Sequence, residues 1–72
     1  MPTTAHPPYG SVEFFAEIIR KNSETVTHTN CSAIGIVRVV LRDEDADADI
    51  AARIRNILAA MDLVRAELLA HR

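Results

Sequence analysis

The sequence predicts an all-α fold: a long antiparallel helical hairpin, with helices at about 11–42 and 46–71, that dimerises into a four-helix bundle. Three observations predict it. Apolar side chains keep one helical phase across 11–42, a dense acidic run at 43–49 interrupts the pattern, and a second apolar stripe starts at Ile50. The alternative is αββα, with a central β-hairpin at 24–41, because Thr25, Val26, Thr27, Thr29, Ile34 and Ile36 are β-branched and lose rotamer freedom in a helix.

Composition bounds the rest. A chain of 72 residues makes one domain, and 49% hydrophobic against 25% charged residues is too apolar for a disordered tail. So short a chain recovers little surface on folding and commonly needs a disulfide framework, a metal or a partner subunit. The single cysteine, Cys31, excludes an intrachain disulfide. A net charge of −2 argues against a protein that gains affinity by neutralising nucleic-acid phosphates. The most apolar run, 33–41, is interrupted by Arg38 and falls short of the roughly 20 residues that span a bilayer. The opening MPTTAHPPYG has neither the charged start nor the apolar stretch of a secretory signal, so the expected location is the cytoplasm.

Taken in order, residues 1–10 hold all three prolines and Gly10 and read as a flexible N-terminal arm, leaving 11–72 as the helical hairpin domain. Ser11 can cap the first helix, and Glu13 and Glu17 suit the positive end of its dipole. From Phe15, a step of about 100° per residue gathers Val12, Ile18, Ile19, Ala33, Val40 and Leu41 in one arc, with Val26, Ile34, Ile36 and Val37 also inside it. Arg20, Lys21, Glu24, His28, Arg38 and Arg42 fall opposite, and only Phe14 and Val39 are misplaced. One phase over about eight turns favours a single helix of about 48 Å, kinked near Asn22 or Gly35, over a helix-to-strand junction. Asp45 or Asp47 then caps the second helix, which buries Ile50, Ile54, Ile57, Leu58, Met61 and Val64, followed by Leu68.

Two long helices bury only their facing stripes, so Phe14, Val39, Leu63 and Leu69 stay partly wet. Small residues on the backs of the helices suggest where a second copy packs: Ala52, Ala59 and Ala66 with Leu63 and Ala70 on helix two, and Thr27, Cys31 and Gly35 on helix one. The competing reading of the alanines is helix-forming filler facing water.

Asn22, Ser23, His28, Thr29 and Asn30 form a polar interruption on helix one. Buried, they need partners, and they serve either as a layer that fixes bundle register or as an intersubunit pocket for a small polar or anionic ligand. His28 and Cys31 are three apart and could meet their copies across a two-fold axis as a zinc set, but one pair per chain is a weak pattern, and neither a metal nor a cofactor is expected. Asp45, Asp47 and Asp49 imitate the first ligands of a calcium loop, which then fails at Ile50, where glycine is required, and at Asn56, where a glutamate is required. Tyr9 either folds back over helix one or anchors a partner, and Asp43, Glu44 and Asp45 offer an acidic patch to one.

No constellation of nucleophile, base and orienting group is recognisable, so no enzyme activity is expected. The expected function is a small non-enzymatic homo-oligomeric module that binds another protein as a regulator, inhibitor or adaptor. The alternative is an oligomeric binder of a small polar ligand. Neither nucleic acid nor membrane is an expected partner.

Overall fold

A computed structural model describes residues 7–71 and is all-helical over them, with three helices: α1 (Val12–Lys21), α2 (Val26–Val40) and α3 (Asp47–Ala70). No strand occurs among the described residues, so the αββα alternative is not supported. The expected single helix over 11–42 is also corrected, because it is two helices separated by a tight turn.

Local chemistry explains the break. The Asn22 side chain turns back and donates through Nδ2 to the Ile18 carbonyl at 2.8 Å, while its backbone N–H bonds to the Ile19 carbonyl at 3.1 Å. Three residues later the extended Thr25 (φ −134°, ψ 165°) accepts the His28 N–H on its hydroxyl at 3.1 Å, which caps α2. Short polar side chains compete with the helical ladder in this way, and they end one helix and start the next. Residues 22–25 interrupt the helix and reverse the chain, so α1 and α2 each turn an apolar face of their own toward the core. Continuous phase therefore did not require a continuous helix. Both helices present their apolar faces to one third element.

That element is α3. Asn56 reaches Gly10 at the start of α1 and Glu67 reaches Arg20 at its end, so α1 and α3 run side by side in the same direction. The start of α2 lies near Leu68 and Leu69, whereas the residues just after it meet Arg53, so α2 runs antiparallel to α3. The core lies between them: Phe15, Ala16 and Ile19 from α1, Ala33 and Val40 from α2, and Ile57, Ala60 and Val64 from α3. Burying a large apolar side chain contributes roughly 1.5–3 kcal/mol, which makes Phe15, Ile19 and Ile57 the main supports of so small a fold.

Three residues assigned to the buried stripes belong outside. Ile34 and Leu41 on the α2 side and Leu58 on α3 are 55%, 58% and 48% exposed, because each helix turns a narrower face to its neighbours than a two-helix arrangement implies. The expected cap at Asp45 or Asp47 is likewise corrected. Ala46 occupies the N-cap without a side-chain bond, Asp47 is already helical, and Asp45 is drawn instead to Arg53. Asp47 and Asp49 still place negative charge in the first turn, where the α3 dipole favours it.

Candidate functional site: an apolar groove between α1 and α2

Both α1 and α2 lean on α3 more closely than on each other, and the space left between them is an open groove of about 520 Å³. Phe15, Ile36 and Val40 form its floor, and Phe14, Ile18 and Val39 its walls. Gly35 leaves a gap in the α2 wall, since a methyl group placed there would find no atom within 4 Å. At one end Asn22 and Ser32 supply polarity, with the Ser23 hydroxyl 3.5 Å from that of Ser32. At the other end stands Tyr9.

Tyr9 belongs to a clasp that closes this end. Gly10 adopts φ +85°, a conformation that disfavours any residue with a Cβ, and a Cβ would also lie 3.3 Å from Arg53 Cγ. The turn, closed by a 3.1 Å bond from the Ser11 N–H to the Pro8 carbonyl, lays the Tyr9 ring edge-on against Phe14 at 5.1 Å between centroids. The Tyr9 hydroxyl donates to Asp43 Oδ2 at 3.1 Å, and Arg53 Nη1 donates to Asp43 Oδ2 at 3.0 Å and to Asp45 Oδ2 at 2.6 Å. The Arg53 guanidinium also sits 5.1 Å from the Tyr9 ring centroid. The hydrogen bond to Asp43 raises the Tyr9 pKa above its ordinary value, because ionising the phenol would remove the donor. Asn56 Nδ2 completes the clasp by donating to the Gly10 carbonyl at 2.8 Å. The last residues of the expected arm are thus tied to α3, and residues 1–6 lie outside the described residues.

The polar residues of 22–30 do not form one layer. Asn22 and His28 are exposed, Ser23 is half-buried in the turn, and Thr29 is buried with its hydroxyl donating to the Thr25 carbonyl at 3.0 Å. Asn30 Oδ1 is buried and has no hydrogen-bond partner among the described residues. The small-residue set divides too. Thr27, Cys31 and Gly35 are exposed on α2, while Ala59, Leu63, Ala66 and Ala70 are exposed on α3 and Ala52 is half-buried. Of the acidic patch, Asp43 is half-buried in the clasp, and Glu44 and Asp45 are exposed. Among the described residues no three His, Cys, Asp or Glu side chains gather into a metal-binding group, and no helix is long and apolar enough to cross a membrane.

A groove walled by aliphatic and aromatic side chains has the chemistry to take up apolar surface. It was foreshadowed by the two misfits of the sequence pattern, Phe14 and Val39, which both line it. The fold-back of Tyr9 over the start of helix one was among its expected placements and is what its ring does against Phe14, whereas its bond to Asp43, 34 residues away, had no local signal and forms only once all three helices pack. Comparison with protein-family models, curated proteins and solved structures found no match to this chain.

Proposed function

We propose that this chain is a small, non-enzymatic, cytoplasmic helical module that associates with itself and acts by binding another protein as a regulator, inhibitor or adaptor. The observation that carries the reading is apolar surface left open on two different sides. On α2, Val39, at 58% exposure, lines the groove, and Ile34, at 55%, stands on a different face of the same helix. On α3, Leu58 and Leu69, at 48% and 46%, stand on the flank toward the start of α2, and Leu63, at 37%, stands on the opposite flank beyond Ala59 and Ala66. Scattered apolar residues are normal on a monomer, but five large ones, each more than a third exposed, on two helices of a fold this small leave apolar surface that one chain does not cover. Two sides permit two uses, one for a second copy and one for a different protein.

Light scattering across a concentration series, combined with crosslinking in native lysate, tests the reading. A mass above that of one chain is expected, together with a crosslinked protein that is lost on Leu63→Glu or Leu58→Glu. A single-chain mass at every concentration, with crosslinking unaffected by either substitution, overturns it.

A further inference from the structure

The flank shared by α2 and α3, turned away from the groove, carries a stripe that reads the same in both directions. On α3 the exposed Leu58, Asp62 and Leu69 and the half-buried Arg65 follow one another at intervals of four, three and four residues. At about 100° per residue all four fall within an arc of about 60°. The stripe lies on the side where Leu69 meets Thr27 at the start of α2. On α2, Asn30 and Ile34 follow Thr27 by three and seven residues and so share its face. Thr27 stands level with Leu69, and Asp43, just beyond α2, with Arg53. Between these two ties Ile34 is about level with Asp62, and Asn30 lies within one residue's rise of Arg65.

This flank has the marks of half a contact. Leu58, Ile34 and Leu69 are 48%, 55% and 46% exposed along it. Two buried side-chain atoms find no hydrogen-bond partner among the described residues, Asn30 Oδ1 and Arg65 Nε, and both stand here. A guanidinium N–H held out of water without an acceptor is destabilising, which favours any arrangement that brings a carboxylate to it. Asp62, on the adjacent turn of the same helix, does not serve, since neither Asp62 nor Arg65 forms an ion pair among the described residues.

We propose that this flank is the self-association face and that a second copy covers it, with the two α3 helices antiparallel about a two-fold axis at the level midway between Leu63 and Val64. This rests on the self-association part of the function proposed above. A two-fold contact must be complementary to itself, and the stripe meets that demand: its mirrored positions hold leucine with leucine and acid with base. The axis brings each Leu58 level with a Leu69 and each Asp62 level with an Arg65, so both guanidinium groups gain a carboxylate. Ile34, close to the level of the axis, lies near its own copy. A parallel arrangement would set Asp62 against Asp62 and Arg65 against Arg65, so charge selects the antiparallel one. The groove and the opposite flank of α3, with Leu63, are left free for another protein.

Exchange of the two charges tests the pairing. Asp62→Arg and Arg65→Asp should each weaken the dimer by roughly tenfold or more, because either one puts like charges at both symmetry-related contacts. Mixing the two variants, or combining both substitutions in one chain, should restore a dimer of near wild-type affinity, read by analytical ultracentrifugation, and recovery on mixing also shows that both variants are folded. Leu69→Glu, at a position exposed in the single chain, should give a helical monomer by circular dichroism. A dimer that persists undiminished in either charge variant or in Leu69→Glu overturns this flank as its interface and leaves self-association through another face standing. Loss in both charge variants without recovery on exchange overturns the antiparallel pairing. A wild-type chain that stays monomeric to millimolar concentration overturns this proposal and self-association together, and it gives the flank to a different protein.

Discussion

Helices α1 and α2 contain similar apolar material and use it in opposite ways. In ten residues α1 buries Phe15, Ala16 and Ile19, and both its ends are tied to α3, through Gly10 with Asn56 and through Arg20 with Glu67. Across fifteen residues α2 buries only Thr29, Ala33 and Val40, and it holds Ile34 and Val39 in solvent. Large side chains at helical spacing build the α1–α3 seam, whereas the fully buried part of the α2 seam is an alanine, a threonine and a valine, with Ile36 and Val37 half-buried beside them. Stability is concentrated in one helix, and free apolar surface in the other.

The sharpest way to break this contrast is to empty each seam in turn. Ile19→Ala should destabilise by about 2–5 kcal/mol, comparable with the whole stability of a domain this small, and should abolish cooperative melting in circular dichroism. Ile34→Ala should change the melting temperature little, because that side chain is already more than half exposed. Equal losses at the two positions would remove the distinction. Next in size is Thr25→Ala, which deletes the α2 cap and should cost about 0.5–2 kcal/mol in urea unfolding. Gly35→Ala should move the other way, by about 0.5–1 kcal/mol, since Gly35 is inside a helix and an added methyl group meets nothing.

The smallest effect is electrostatic. Arg20 donates through Nε and Nη2 to the two Glu67 carboxylate oxygens, each at 2.9 Å, which lowers the Glu67 pKa below the ordinary glutamate value and raises that of Arg20. A depressed carboxyl stabilises the fold above its unfolded pKa, about 4.3, and this contribution is lost as pH falls through the lower folded value. Wild-type stability should therefore dip more steeply than that of Glu67→Gln over this acidic window, as urea midpoints measured against pH would record.

Helical class, the start of α1 at Ser11 and the second stripe from Ile50 were all legible, because each rests on neighbours within a few residues. The break at 22–25 was visible only as a polar patch. Asn22 and Thr25 carry a stop and a start, yet unbroken apolar phase outweighed them, since periodicity cannot distinguish a continuous helix from two that share a wall. Phe14 and Val39 were legible as misfits but not as a groove, which depends on how far α1 and α2 stand apart. Asp45 was misplaced as a cap because its carboxylate goes instead to Arg53, eight residues on, which balances the acidic run and leaves Ala46 at the helix end.

The parallel seating of α1 on α3 has a consequence for how the chain is made. The most cohesive pair in the molecule joins its earliest helix to its latest, so α1 leaves the ribosome with Phe15 and Ile19 uncovered until Ile57 and Val64 have been synthesised. The intervening helix offers little shelter, and a product truncated after α2 is expected to stay unfolded and reach the proteolytic machinery. Assembly of the three helices thus waits until α3 has been made.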